Sequence, residues 1–269
     1  MAQAAHWSLP AARTRQAYYR LFRTGRQVGR LRRLRLLASA PRLAAETELP
    51  PPDFSPEHET VVVFRNLVSG NERTYFCEIV GHSEIVRKSL IDMTRPKYRP
   101  ALPTHPHIAI HVRGGDFSQP SSLEEIKSGR HNLQIPADWY VKMLKGLRKR
   151  LGDTLPAIVY SDFADEELVP LLSLLHVKRS PYREAISDML AMSQANAIIS
   201  SGSGFSRWAS YLGQVPRLCF PGQRTVRTLG PVVDGTDMEP ECEVAGEIPE
   251  GFYSHVLSRA LVAGGALRV

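Results

Sequence analysis

The sequence predicts an α/β fold in which a doubly wound parallel sheet fills the carboxyl-terminal half, and three observations carry that prediction. From His107 to Phe220, short apolar runs alternate with longer segments of helical periodicity. Polar or glycine-bearing clusters follow those runs at 113–116, 162 and 201–206, at the strand ends where ligands sit in such sheets. A stretch with four prolines, Pro96 to Pro106, sets this region off from what precedes it.

The elements follow in order. Residues 1–48 form a basic arm that reads as helical, with Leu21, Phe22, Val28, Leu31, Leu34 and Leu37 set among arginines. Leu49-Pro50-Pro51-Pro52-Asp53 is a linker, too rich in proline for a helix or a central strand. In the next segment, 53–100, Val61 to Phe64 is a strand, and Tyr75 to Met93 a helix whose apolar face includes Ile79, Val86 and Leu90. The domain at 105–222 opens with the strand Ile108–Val112, which ends in Arg113-Gly114-Gly115-Asp116. Pro136 starts a helix that runs to about Leu151, proline being suited to a first turn. A strand at 156–161 closes on Asp162, a helix spans Asp165 to His176, and Asp188 to Asn196 lies on another. The strand Ala197–Ser200 turns through Gly202-Ser203-Gly204 into a helix over 205–213, and Arg217–Phe220 is the last strand. Beyond Pro221 the periodicity is lost, so 223–269 reads as an irregular strap with a terminal helix.

Composition narrows the function classes. The formal net charge of +7 comes from the arm: residues 1–45 hold ten arginines, no lysine and no acid. Removing those ten from 34 basic residues leaves 24 against 27 acids, a net of −3 for the body. For the arm, four readings stay open: a helix packed on this or a partner domain (or a poorly ordered terminus), a peripheral anchor on anionic lipid, an organellar transit peptide, and a nucleic-acid contact. The last has least support, because no recognition motif accompanies the charge. No run of some 18 apolar residues is present, so no membrane-spanning helix is expected. Cys77, Cys219 and Cys242 are widely separated, which argues against a disulfide framework or a thiolate zinc site and fits a reducing, cytoplasmic location, membrane-peripheral if the arm binds lipid.

Four clusters carry chemistry. Arg113 leaves a buried strand directly into two glycines, so its five-donor fork projects where backbone can approach a ligand, and such a fork suits a diphosphate. The plain alternative is a surface salt bridge, to Asp116 for instance. The segment Ser201-Gly202-Ser203-Gly204-Phe205-Ser206 is a glycine-serine turn opening a helix, offering free N–H groups and the positive end of a dipole to an anion, although many helices begin this way as simple caps. Asp162 is either a ligand acceptor or the cap of the next helix. Asp188, in the first turn of its helix, either complements the dipole or accepts two hydrogen bonds from a guanine edge. The sequence has no P-loop, GxGxxG, GxSxG, HExxH or DxD motif, and its nine histidines form no spaced ligand set, so no metal or cofactor is indicated.

Taken together these clusters resemble the fucosyltransferase superfamily, nearest to the α1,2-fucosyltransferases of glycosyltransferase family 11. The HxRRGDY motif of that family is matched by His111-Val112-Arg113-Gly114-Gly115-Asp116-Phe117, and its strand ending in Ser-Asp by Tyr160-Ser161-Asp162. Its long run DLxLMSxCxxxIIxNSSFSWWGAWL is matched from Asp188 through Leu212. Order and spacing agree over roughly 107–220.

The resemblance implies a GT-B arrangement of two Rossmann-like domains, here with a partial amino-terminal one. The carboxyl-terminal domain would hold GDP-fucose for inverting, metal-independent transfer to a glycan acceptor. Arg113 matches the arginine on the β-phosphate, and His111 lines the same pocket. Asp188 matches the carboxylate that reads guanine in related core α1,6- and protein O-fucosyltransferases. Ser203, Gly204 and Phe205 match the loop approaching the phosphates, with Ser206 completing the helix start. Asp116 is an acceptor-side base or a structural residue. There are departures: Gly114 stands for the motif's second arginine, Gly204 for a serine and Arg207 for a tryptophan, and no GGLGNQ segment is present. They leave open a truncated chain, a glycosyltransferase with another sugar nucleotide, and a non-catalytic nucleotide-binding or membrane-peripheral protein.

Overall fold

The computed structural model describes residues 20–23, 30–45, 60–64, 79–103, 105–224, 226–244 and 246–262. Its centre is a five-stranded sheet of β3 (Ile108–Val112), β4 (Ala157–Ser161), β5 (Val177–Arg179), β6 (Ala197–Ser200) and β7 (Arg217–Cys219). The strands lie in the order β5-β4-β3-β6-β7 and every pairing is parallel. The chain therefore starts in the middle, winds outward to one edge, returns and winds to the other, so that order reverses between β3 and β6. In sheets of this kind the crevice beyond that reversal is the ligand site.

Both faces of the sheet are covered, and strand periodicity sorts the side chains between them. Ile108, Ile110 and Val112 face a core with Ile126 of α3 (Leu123–Lys127), with α4 (Ala137–Leu151) and with α8 (Glu250–Val262), which contributes Phe252 and Val256. Ala109, Tyr160 and Ile198 face the opposite core, with Ala191 and Met192 of α6 (Ala185–Met192) and Ala209 of α7 (Gly204–Gly213). His111, two residues after Ala109, shares this second face. The expected helix over 165–176 is shorter than periodicity implied. A 3-10 turn at Asp165–Leu168 leads into the single turn α5 (Val169–Leu172), and the chain then enters β5, a strand too short to stand out in the sequence.

The amino-terminal segments dock on this body. The helix expected from Tyr75 starts at Ser83 as α2 (Ser83–Met93); Ile79 to His82 form a turn, and 75–78 lie outside the described residues. Ile79, Val80, Val86 and Leu90 pack on Tyr211 and Leu212 of α7, and the Tyr211 hydroxyl donates to Ile79 O at 2.6 Å. In the arm, Arg30–Ser39 is helix α1, while Arg42–Ala45 is strand β1, parallel to β2 (Val61–Phe64) across the expected linker. Phe22 bridges to Thr94, and Arg20 pairs with Glu184 at 2.7 Å, so part of the arm is tied to the body. Residues 1–19 lie outside the described residues. No helix among the described residues is long and apolar enough to cross a membrane.

After β7 the strap is irregular but held. Its anchor is Glu239, which accepts from Arg217 Nε at 2.6 Å, from Thr228 N at 2.7 Å and from Leu229 N at 3.1 Å, with both charged side chains only 1% exposed. Arg259 of α8 donates to Gly213 O and Gln214 O, serving carbonyls at the end of α7 that have no helical partner.

Candidate functional site

A cavity of about 470 Å³ opens beyond the carboxyl ends of β3 and β6, at the reversal of strand order. Of the residues singled out in the sequence, His111, Arg113, Asp116, Asp162, Asp188, Ser203, Gly204 and Phe205 all line it. Ser206 does not. Its buried hydroxyl lies 2.9 Å from Ser200 Oγ and donates to Ser203 O at 3.1 Å, which locks the first turn of α7 onto β6.

Arg113 projects into the cavity, but it is already engaged. Nη2 lies 2.7 Å from Asp116 Oδ1 and Nη1 lies 2.6 Å from Asp162 Oδ2. The salt bridge to Asp116 is thus present, together with a second one that spacing did not suggest. Asp162 caps no helix, contrary to the plainer expectation, because the next turn begins after Ala164. Its Oδ1 accepts from Gly114 N at 2.8 Å, so one carboxylate clasps both the guanidinium and the backbone of the loop. The two glycines make this clasp fit. A Cβ on Gly115 would stand 2.4 Å from Asp162 Oδ2, and one on Gly114 2.1 Å from the Phe163 ring. The ring fills the space through which a longer residue 114 would leave the backbone.

His111 is buried, and its imidazole pKa is pushed down to about 3 by that burial and, secondarily, by Arg113. It is therefore a neutral ring at physiological pH, with Nδ1 2.8 Å from Ser201 Oγ and its face 5.3 Å from that of Phe205. This contact holds the β3 end against the start of α7. There Ser203 is the N-cap, its Oγ accepting from Phe205 N at 3.2 Å, while Gly204 is exposed with open space where a side chain would be. Amides of a first turn have no acceptor within the helix, and the dipole adds positive potential.

Asp188 closes the far wall. It is buried in the first turn of α6 and accepts from the Ser180 hydroxyl. Burial pushes its pKa up to about 6, against the opposing effects of the Ser180 hydrogen bond and the Arg179 charge. At pH 7 it is mostly ionised, an acceptor in a poorly hydrated position.

Arg207, His131, Asn132 and Tyr160 also line the cavity, and none of them was named as a site residue from the sequence. Arg207 is buried in the first turn of α7 with Nη2 3.1 Å from Gly202 O, so a second guanidinium stands beside the helix start. In the sequence it registers as a departure from a tryptophan; its helical offset of four from Ser203 is the signal that places it on the cavity side. Asn132, in the left-handed region at φ 58°, lies outside any periodic element and had no such signal. Among the described residues no group of three His, Cys, Asp or Glu side chains is placed to hold a metal ion.

No family model matches the chain, and no curated protein matches it. Among solved structures, the chain is similar to the glycosyltransferase SnogD from Streptomyces nogalater, with 12% sequence identity and a TM-score of 0.33. The match covers 64% of this chain and 43% of that one, so the chain spans less than half the length of the solved enzyme.

Proposed function

We propose that this chain binds a guanosine diphosphate sugar, GDP-fucose, and transfers the sugar to a glycan acceptor with inversion and without a metal. One observation carries the reading. Arg113, Asp188 and the start of α7 come from three separate elements and meet at one cavity, beyond the carboxyl ends of strands at the reversal of sheet order. In this proposal the guanine edge donates its N1–H and exocyclic amine to Asp188. The diphosphate lies against the amides of Ser203 and Gly204 at the start of α7, between Arg113 and Arg207. Sugar transfer leaves charge on the departing GDP, and those fixed donors stabilise it; losing one such donor slows turnover by about 10²–10³.

Calorimetry with GDP, UDP and ADP tests the donor. Saturable binding of GDP alone, abolished in Asp188→Ala and weakened in Arg113→Ala, supports the proposal; equal binding of all three, or of none, rejects it. A second reading is favoured by the two carboxylates already on Arg113: a nucleotide-binding protein without transfer activity. GDP binding with no transfer from GDP-fucose to any glycan would select it. Peripheral association with anionic lipid is also a proposal, supported by α1, where Leu31 is 83% and Leu34 57% exposed among arginines. Removal of residues 1–45 should then abolish partition onto anionic vesicles; unchanged partition removes the idea.

A further inference from the structure

Beside Asp188 the cavity holds a second polar group, the hydroxyl of Tyr160. Tyr160 stands near the end of β4, in register with His111 of β3, and alternation turns it to the face of the sheet that carries α6. It is 2% exposed and lines the cavity. No described residue hydrogen-bonds to its hydroxyl. Nor is that hydroxyl sealed off: the one on Tyr140, also without a partner, has less than 1 Å² of surface, whereas that of Tyr160 is not closed in this way. A buried hydroxyl without a partner is costly, and native structures almost always satisfy one. An acceptor entering the cavity would relieve that cost.

The neighbouring carboxylate is held in a matching way. Ser180 N donates to Val159 O at 2.8 Å, which ties the segment before α6 to β4, and the Ser180 hydroxyl donates to Asp188 Oδ1. Asp188 Oδ2 receives no donor from the described residues. Asp188 and Tyr160 are not bonded to each other, yet they are close: the phenol pKa is raised by burial first and then by the Asp188 charge, with Tyr182 adding to it. At physiological pH the pair is therefore one neutral O–H donor beside one carboxylate acceptor.

We propose that Tyr160 is a specificity-determining residue whose hydroxyl donates to O6 of the guanine held by Asp188, an inference that rests on the reading of this cavity as a GDP site. Guanine presents an exocyclic amine, an N1–H and the acceptor O6 in a row along one edge. A carboxylate satisfies the two donors but repels O6, so the third group needs a donor from elsewhere. Tyr160 supplies it, and the two side chains together read the whole edge. A base without a good acceptor at that position leaves the hydroxyl unpaired, and sites built around a hydrogen bond discriminate strongly against ligands that lack it.

The probes are GDP and its 6-thio analogue, in which sulfur, a weak acceptor, replaces O6. Each is titrated calorimetrically against the full chain and against Tyr160→Phe. The unaltered chain should prefer GDP by about tenfold, the effect of satisfying one buried polar group. Tyr160→Phe should weaken GDP by about tenfold and change the thio analogue by less than about twofold. The melting temperature should stay the same or rise, because only an unpartnered hydroxyl is removed. In isotope-edited infrared spectra, the C6=O stretch of bound GDP should lie at lower frequency on the unaltered chain than on Tyr160→Phe. GDP binding that depends on Asp188 but is indifferent to Tyr160→Phe would overturn this inference and leave the GDP reading standing. A preference over the thio analogue that persists undiminished in Tyr160→Phe would do the same. No GDP binding to the unaltered chain would overturn both.

Discussion

Asp116→Asn separates the electrostatics of the cavity from the stability of the fold. The carboxylate of Asp116 is 71% exposed and pairs with Arg113 at 2.7 Å. Loss of an exposed pair costs folding less than about 1 kcal/mol, so the melting temperature should barely move. For a diphosphate entering the cavity, however, the same carboxylate is a like charge that also occupies one side of the Arg113 fork. At roughly 6 Å and an effective dielectric constant near 60, its repulsion of one phosphate charge is about 0.9 kcal/mol. Removing it should tighten GDP binding about fivefold at low salt. In about 1 M salt, with a screening length near 3 Å, the gain should vanish. Calorimetric titration of the unaltered chain and the variant at both salt concentrations reads this directly. Weaker GDP binding in Asp116→Asn, or a gain indifferent to salt, would refute the reasoning, because it would mean that Asp116 supports the ligand rather than competing with it.

Three further outcomes follow from the same geometry. Because burial raises the pKa of Asp188 to about 6, its ionised form dominates only above that pH. GDP affinity should therefore fall as pH drops through 6, by up to about tenfold per unit, while the unliganded fold gains stability over the same interval because it binds the proton more tightly than the unfolded chain. A GDP titration between pH 5 and 8, flattened in Asp188→Asn, checks the first sign, and denaturant melts check the second. Glu239→Gln leaves the Arg217 guanidinium buried without its counter-charge, at a cost of about 3–5 kcal/mol, and should lower the melting temperature by on the order of 10 °C. Gly114→Arg, which introduces the second arginine of the motif that the sequence resembles, should not improve GDP binding. Its Cβ would stand 2.1 Å from the Phe163 ring, and scanning calorimetry should show a loss of about 1–3 kcal/mol.

The sequence made the sheet legible because its strands are short apolar runs separated by helices with strong periodicity. β3, β4, β6, β7, α4 and α7 lie within a residue or two of where the pattern puts them. β5 was not legible, since a three-residue strand at an edge carries too little pattern, and Pro170 interrupts the helical reading before it. β1 was hidden for a different reason: it lies at the end of an arginine-rich segment and is defined by its partner β2 rather than by its own residues. In the site, strand ends and helix starts could be read because both have local signatures. The clasp of Asp162 on Arg113 and Gly114 could not, since it joins positions 48 residues apart through tertiary placement alone.

The central claim is that a nucleoside diphosphate occupies the crevice between the ends of β3 and β6. A crystal structure grown with GDP tests it most directly. Guanine should lie against the Asp188 carboxylate and the two phosphates over the amides of Ser203 and Gly204, flanked by Arg113 and Arg207. GDP bound elsewhere on the molecule, or an opposite orientation with phosphate beside Asp188, would contradict it.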